Sequence, residues 1–193
     1  MTSLKQKIAI IVDEADALRR KDKALLAKYD ELLQAVFYDM FGDPVKNEKG
    51  WEIGKIKDLA YKIQYGTSDK ASDEKLTYPI LRMNNITYDG NIDFSELKYI
   101  DLSEKDKEKY LVHKGELLFN RTNSKELVGK TAVYRENKPM AYAGYLIKLV
   151  PNERANSEFI SGFLNSQYGK KLLQKMAKNI VGMANINAKE MGN

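Results

Sequence analysis

Side chains that hydrogen-bond readily follow an apolar segment near the middle of the chain. The segment "LLFNRTNSKELVGKT", residues 117–131, opens with three large apolar residues and continues with Asn-Arg-Thr-Asn-Ser at 120–124. Arginine pairs through two hydrogen bonds with guanine, asparagine with adenine, and serine or threonine with either base. Groups of this kind also hold nucleotide phosphates, so two kinds of chemistry are open here: phosphate binding and the reading of base edges.

The "GKT" that ends this segment is similar to part of a phosphate-binding loop, but its spacing does not fit. Such a loop requires a first glycine five residues before Gly129, and Ser124 occupies that position. No glycine-rich cofactor loop follows a strand, and no two carboxylates have a spacing that suggests acid–base catalysis. The one histidine, His113, has no obvious serine or carboxylate partner, so we interpret it as a loop or surface residue. We therefore expect no catalytic residues.

Two further stretches carry side chains suited to base edges. They are "QYGTSDKAS" at 64–72, a loop after a short apolar run, and "RMNN" at 82–85. Each is also typical of ordinary turns, Arg82 could be a salt-bridge partner, and Tyr65 and Tyr145 could be core residues. Gly129 and Lys130 suit a turn and a backbone phosphate. The predicted DNA-binding residues are Gly66, Thr67, Ser68, Lys70, Arg82, Asn84, Asn85, Arg121, Thr122, Asn123, Ser124 and Lys130.

The composition restricts the class of protein. The chain has 193 residues, no cysteine, one histidine and a net charge of +5. Disulfides, thiolate chemistry and a histidine-rich metal site are excluded, and no metal site is expected. No apolar run approaches the ~18–20 residues that cross a bilayer, and no signal-peptide core is visible. We therefore expect a cytoplasmic protein without a membrane partner, and the positive charge is a mild indication of nucleic acid.

The N-terminal part of the chain, residues 1–42, has the pattern of one long helix over 3–41. Ser3 and Gln6 form a capping box, and Gly42 and Pro44 end the helix. Apolar residues recur every seven positions, as in a coiled coil. Helix positions a and d are Ile8, Ile11, Ala15, Leu18, Asp22, Leu25, Tyr29, Leu32 and Val36. Asp22 could fix register or partner choice. A helix that lies along its own domain is the alternative.

The remainder, residues 43–193, is expected to be an α+β domain with a mixed or antiparallel sheet. Apolar runs separated by turn signals predict strands at 51–56, 80–83, 99–102, 116–119, 131–134 and 141–149. "YDGNID" at 88–93 predicts a hairpin turn, and 103–110 a short helix. A C-terminal helix is predicted at about 157–178, with lysines toward its end that suit the helix dipole or could face phosphates.

Long collinear motifs resemble the DNA specificity subunit of type I restriction–modification systems over essentially the whole chain. "DEADALRRKDKALLAKYDELLQAVFYDMFGDP" at 13–44 resembles that family's spacer helix and the junction after it. "YGTS", "PILRMNNI", "GELLFNRTNSKELVGKT" and "AGYLIKL" resemble one subtype of its target recognition domain. "ANINAKEM" at 184–191 resembles the junction to a second spacer helix.

This resemblance implies a noncatalytic subunit that reads double-stranded DNA. In the family, a methyltransferase subunit supplies the S-adenosylmethionine chemistry and a restriction or motor subunit uses ATP and Mg, so no cofactor is expected in this chain. Family members usually carry two recognition domains and two spacer helices, whereas this chain has one of each. It therefore resembles a half subunit, expected to form a homodimer through the long helix. The alternatives are an orphan half subunit that acts as an interaction or regulatory module, and a methyltransferase with a degenerate cofactor site.

Overall fold

The computed structural model describes residues 3–180 and 182–193. These residues divide into two compact units with the boundary between Gly50 and Trp51. No helix among the described residues is both long enough and apolar enough to cross a membrane. The two units are described separately below.

The first unit is built on one helix, α1 (Leu4–Phe41), of 38 residues. Its length is about 57 Å at ~1.5 Å per residue. Ser3 begins it with the expected capping box: Gln6 N donates to Ser3 Oγ at 3.3 Å, and Ser3 N donates to Gln6 Oε1 at 2.9 Å. Gly42 ends it, and its N–H donates to Tyr38 O at 2.8 Å. The helix expected over 3–41 is therefore confirmed.

No residue of α1 is buried. The positions assigned to the coiled-coil seam include exposed large apolar side chains, namely Ile8, Ile11, Leu18, Leu25, Tyr29, Leu32 and Val36. A neighbouring row, seven residues apart, is also apolar and exposed: Val12, Leu26, Leu33 and Met40. Only Arg19 interrupts that row. The apolar face of α1 is thus wider than a two-position seam.

Within its described residues, the second unit contains eleven β-strands. They are β1 (Ala60–Tyr65), β2 (Tyr78–Leu81), β3 (Lys98–Ile100), β4 (Leu111–Val112), β5 (Leu117–Asn120), β6 (Thr122–Asn123), β7 (Thr131–Val133), β8 (Met140–Tyr142), β9 (Leu146–Pro151), β10 (Lys178–Ile180) and β11 (Met183–Asn185). The helices are α2 (Glu104–Tyr110), α3 (Ser157–Asn165), α4 (Gln167–Met176) and α5 (Ala188–Gly192). The expected α+β class is confirmed.

The strands form three sheets with the orders β1-β9-β5-β7, β3-β2-β8-β4 and β10-β11-β6. Among the described strands, only β2 and β8 pair in parallel. The first sheet lies between two cores because successive residues of β5 point to opposite faces. Leu117 and Phe119 pack with Leu164 of α3, whereas Leu118 packs with Leu81 and Tyr142 of the second sheet. The result is three layers: helices, first sheet, second sheet.

The single helix expected over 157–178 is two helices. Ser166 adopts an extended conformation between α3 and α4, with φ −62° and ψ 159°. Its Oγ accepts from Gly169 N at 3.0 Å and begins α4 as a new N-cap. The i+4 apolar stripe continues across this break, which is why the pattern indicated one helix. Lys178 belongs to β10 rather than to a helix end.

Two of the predicted strands are also corrected. Residues 51–55 form no strand, Ile53 is 86% exposed, and a 3-10 turn over Ile56–Leu59 precedes β1. The run at 141–149 is two strands, β8 and β9, with a turn around Gly144 between them. The other four predicted strands lie within two residues of β2, β3, β5 and β7. The turn at 88–93 and the helix at 103–110 are confirmed.

Candidate nucleic-acid interface

The end of β5 separates the two side chains that open the polar stretch. Asn120 lies on the same face as Leu118, toward the second sheet, where its Nδ2 donates to Met83 O at 3.4 Å. The Arg121 side chain lies on the opposite side, where its Nη2 is 3.4 Å from Asn185 Oδ1. Strand alternation therefore sends one side chain to each side of the first sheet.

The loop after β5 is closed at its base by backbone hydrogen bonds. Asn120 N donates to Lys130 O and Gly129 N donates to Asn120 O, both at 2.8 Å. Gly129 has φ +86°, and a Cβ there would lie 2.6 Å from Leu173 Cδ1. A side chain at 129 would be strained and crowded, so this glycine serves the loop's shape, as expected for a turn.

The loop after β1 meets the turn between β8 and β9 at backbone level. Thr67 N donates to Tyr142 O at 3.0 Å, and Gly144 N donates to Thr67 O at 2.7 Å. A Cβ on Gly66 would come within 2.3 Å of Tyr142 O. Gly66 thus permits the two loops to approach, and its role in the structure is to place the side chains on either side of it.

Arg121 lies where these loops converge. Its guanidinium carbon is 4.9 Å from the centre of the Tyr65 ring. Nη1 is 3.5 Å from Gly144 O and Nη2 is 3.4 Å from Asn185 Oδ1. These distances are longer than the ~2.7–3.2 Å of strong N–H···O bonds, and Nε is buried with no partner among the described residues. Arg121 is held, but weakly.

The stretch at 82–85 joins the same region through one carbonyl group. Met83 O accepts from Asn120 Nδ2 at 3.4 Å and from Lys130 Nζ at 3.0 Å. Burial lowers the pKa of the Lys130 ammonium. Its amino group links two loops of the domain, so it is not an extended arm toward a phosphate. The three stretches that the sequence singled out are therefore neighbours in space.

Several of the predicted DNA-binding side chains are buried and hydrogen-bonded within the domain. Thr67 is 2% exposed and its Oγ1 donates to Asp69 Oδ2 at 2.9 Å. Asn85 is 3% exposed, accepts from Arg82 N and donates to Asp93 O. Thr122 is buried and accepts from Asn185 Nδ2 at 2.6 Å. Small hydroxyl and amide groups satisfy buried backbone as readily as they read bases, and the sequence pattern does not separate these two uses.

Arg82 is half-buried. Its Nη2 donates to Glu96 O at 3.1 Å, and its Nε is buried without a partner in the described chain. No salt bridge to Arg82 is recorded among the described residues. The carbonyl contact fixes the guanidinium against the loop that contains Glu96, so the side chain supports the 82–85 turn.

The accessible members of the predicted set belong to the same three stretches as Thr67, Met83 and Arg121. Ser68, Lys70 and Asn84 are exposed, and Asn123 and Ser124 are half-buried. Two tyrosines that the sequence left open between core and surface are exposed, Tyr65 at 41% and Tyr145 at 50%. Aromatic faces beside basic and amide groups suit contact with nucleic acid.

The sequence did not indicate the hairpin of β10 and β11. Ala184 pairs with Asn123 and Asn185 with Thr122, so β11 extends the polar stretch into a small sheet. Ile180 and Met183 are exposed near the hairpin tip. Short strands with asparagine and glycine carry little signal, although "NIVGM" at 179–183 does contain a β-branched pair before a glycine.

His113 lies outside this region. Its side chain is 55% exposed, as expected of a surface histidine, but it does have a carboxylate neighbour: Nδ1 is 3.7 Å from Glu116 Oε2. Glu116 also lies 3.4 Å from the buried Lys148 Nζ, which donates to Leu111 O at 2.6 Å. Burial lowers the pKa of Lys148, and Glu116 opposes that shift. This cluster holds the first and second sheets together.

Solved structures share this fold. The chain aligns with a chain from the type I R-M system at a TM-score of 0.59 and 16% identity, covering 99% of this chain and 47% of that one. It aligns with the HsdS subunit from Thermoanaerobacter tengcongensis at a TM-score of 0.57 and 17% identity, covering 97% of this chain and 43% of that one.

Sequence relatives point to the same group. A protein of Methanocaldococcus jannaschii assigned as the type I restriction enzyme MjaX specificity subunit is 32% identical over 145 residues, covering 73% of this chain and 34% of that protein. The type I restriction enzyme EcoKI specificity subunit of Escherichia coli (strain K12) is 25% identical over 139 residues, covering 70% of this chain and 30% of that protein. The chain thus spans about a third of the length of these curated relatives. Because the family sequence model of the type I restriction modification DNA specificity domain matches residues 48–193, the chain belongs to that family.

Proposed function

We propose that this chain is a noncatalytic DNA specificity subunit that reads one half of a bipartite target. The observation that carries the proposal is that three separate polar stretches meet at the end of β5: Arg121 lies against the exposed Tyr65, and Asn120 and Lys130 both hydrogen-bond to Met83 O. Membership of the DNA specificity domain family supports it.

The distribution of charge also supports DNA as the ligand. Residues 3–41 contain seven basic and seven acidic residues, so the net charge of +5 lies in the remainder of the chain. Lysine and arginine neutralise phosphates and release counterions, which gives most protein–DNA contacts their affinity. Exposed Lys70 beside the 66–67 loop is suited to a phosphate contact, whereas exposed Asn84 is suited to a base edge.

The chemistry and its cofactors belong to other subunits in this proposal. A methyltransferase subunit would use S-adenosylmethionine, and a restriction subunit would use ATP and Mg. The place of action is the cytoplasm, where the DNA is. This chain would supply sequence selection alone.

The wide apolar face of α1 supports two kinds of partner. A second copy of α1 packed antiparallel would cover the a and d positions, such as Leu25 and Leu32. The adjacent row with Leu26 and Leu33 would remain for the methyltransferase subunit. We propose a homodimer through α1 with methyltransferase subunits docked beside it.

Selection from randomised DNA tests the proposal. The full chain with its methyltransferase subunit is expected to enrich one bipartite motif and to bind less tightly as salt rises. Asn84→Ala is expected to relax one position of the motif by about 1–3 kcal/mol. Lys70→Ala is expected to weaken all sequences alike and reduce the salt slope by about one.

Asn137→Ala is the matched control, because Asn137 is exposed and contacts Lys114 at 3.0 Å. It should leave the motif and the salt slope unchanged. An interaction module without DNA recognition would enrich no sequence and show no salt dependence, and that result would reject the proposal.

A further inference from the structure

The hydrogen-bond inventory of Arg121 leaves two donors in a useful arrangement. A guanidinium carries five N–H groups. In Arg121 the Nε group is buried, Nη1 donates once to Gly144 O, and Nη2 donates once to Asn185 Oδ1. Among the described residues, each terminal nitrogen therefore keeps one further N–H without a partner. A two-pronged contact with a base uses one donor from each of two neighbouring nitrogens.

Two side chains orient this guanidinium, and both are anchored to the domain. The centre of the Tyr65 ring is 4.9 Å from the guanidinium carbon of Arg121, and the Tyr65 hydroxyl accepts from Ala188 N at 2.9 Å. Asn185 is 8% exposed and is fixed by its 2.6 Å donation to Thr122 Oγ1. The Tyr65 ring and the Asn185 oxygen together restrict the orientation of the guanidinium.

Orientation distinguishes a base from a phosphate. A phosphate accepts hydrogen bonds from many directions, so a mobile arginine serves it well. A base edge lies in a fixed plane, and guanine presents O6 and N7 side by side as acceptors. A guanidinium held in one plane with two donors available therefore matches guanine.

We propose, resting on the DNA-reading function above, that Arg121 reads a guanine and that Tyr65 and Asn185 are positioning residues that determine specificity at that base. The sequence predicted that Arg121 contacts DNA but not which base it reads, and it gave no indication of Asn185. The asparagine acts through the arginine rather than by touching DNA.

Base preference at a single position tests this proposal. The full chain with its methyltransferase subunit is put through selection from randomised DNA with variable spacers, at several salt concentrations. Arg121→Lys keeps the charge but not the planar fork. It is expected to reduce the guanine preference at one position by about 5- to 150-fold and to leave the other positions unchanged.

Paired variants separate positioning from folding. Tyr65→Leu and Asn185→Ala are expected to reduce the guanine preference at that same position. Tyr65→Phe keeps the ring but loses the bond to Ala188 N, and Asn185→Asp keeps the acceptor but loses the donation to Thr122 Oγ1. Each should therefore retain more of the guanine preference than Tyr65→Leu or Asn185→Ala. Arg135→Ala removes an exposed arginine that pairs with Glu158 and should change nothing. Thermal unfolding of each variant confirms that the domain is folded.

Four results would overturn the inference. Uniform weakening of all sequences by Arg121→Lys, with no change of base preference, would mean a phosphate contact. Loss of preference at different positions in Arg121→Lys and Asn185→Ala would separate the two residues. If the unmodified chain selects a motif but Arg121→Lys changes no position, the inference fails while the proposed function stands. A parent chain that selects no motif rejects both.

Discussion

At the scale of single residues, Gly66 positions two polar loops of the second unit, because the backbones of the two loops approach each other closely there. Gly66 lies against the carbonyls of Tyr142 and Ala143, and Thr67 completes the contact through its backbone. The positions of the polar side chains in these loops therefore depend on Gly66, which has no side chain. The recognition region is therefore more sensitive to packing at Gly66 than to most of its own polar groups.

Gly66→Ala is expected to destabilise the domain by about 1–3 kcal/mol, because its Cβ would lie 2.3 Å from Tyr142 O and the backbone must shift. Urea denaturation of the full chain measures the change. Gly54→Ala is the matched control, since a Cβ there meets nothing within 4 Å. The control should change stability by less than about 0.5 kcal/mol. Equal effects of the two substitutions would contradict the close-approach argument.

The buried tyrosines predict how stability responds to alkaline pH. Tyr134 is fully buried, its hydroxyl donates to Lys138 O, and burial raises its pKa to about 12. A group whose pKa is raised on folding stabilises fully below its unfolded pKa, near 10, and loses that contribution as pH rises through the folded pKa. Stability should therefore fall between pH 10 and about 12, by up to about 1.4 kcal/mol per pH unit for this one proton.

Tyr134→Phe tests whether the fall of stability at high pH comes from ionisation of Tyr134. The variant is expected to be about 1 kcal/mol less stable than the parent at pH 8, because it lacks the hydroxyl's hydrogen bond. The difference should shrink above pH 10 and reverse near pH 11, as measured by urea denaturation at each pH. A difference that stays constant from pH 8 to 11.5 would show that Tyr134 does not titrate on unfolding.

At the scale of elements, strands with strong patterns were predictable and strands defined by their partners were not. The runs around Leu118 and Thr131 carry enough apolar and β-branched residues to indicate strands. β6 and β10 have two and three residues and exist because β11 pairs between them. Long-range pairing of short polar segments leaves no local period in the sequence.

The candidate site shows the same limit. The sequence placed Arg121 and Asn84 after predicted strands but put Arg82 inside the strand predicted at 80–83. In the structure Arg82 follows β2, and Asn84 lies in a 3-10 turn. It could not separate exposed Asn84 from buried Asn85, because burial of the asparagine depends on how the following turn folds back so that Asp93 O accepts from Asn85. Asn185 was missed because its partner Thr122 lies 63 positions away.

Substitutions at two adjacent leucines of α1 can distinguish its two proposed roles, which are pairing with a second chain and binding of the methyltransferase subunit. Leu32 belongs to the d row and Leu33 to the flanking row, and they are 58% and 64% exposed. Leu32→Glu is expected to weaken chain–chain association at least tenfold, since an unpaired carboxylate would enter the seam. Leu33→Glu is expected to weaken methyltransferase binding and leave the dimer intact. Analytical ultracentrifugation and titration with the methyltransferase subunit measure the two effects.

Glutamate is a good helix former, so neither substitution should unfold α1. Circular dichroism checks this point. Removal of residues 1–41 should abolish both interactions. A truncated chain that recruits the methyltransferase subunit at full strength would exclude α1 as its docking element.

At the scale of the whole molecule, one helix and one recognition domain suit a symmetric pair. The recognition domain follows the C-terminal end of α1 in the chain. Two chains that pair α1 antiparallel would therefore carry identical domains at opposite ends of the helix pair. Each domain would read the same half-site, so the target is expected to be an interrupted palindrome. A monomer at working concentration, or a non-palindromic methylated site, would contradict the symmetric pair.

The helix pair would then measure the gap between half-sites. Deletion of Leu18 through Ala24 removes one heptad, keeps the apolar seam in register and shortens each α1 by about 10 Å. At ~3.4 Å per base pair this corresponds to about three base pairs of spacer. Because the deletion also rotates one domain around the DNA, binding is measured across a library of spacer lengths. The preferred gap should shift while the half-sites stay the same, and an active deletion variant that keeps the parental gap would show that α1 does not set the spacing.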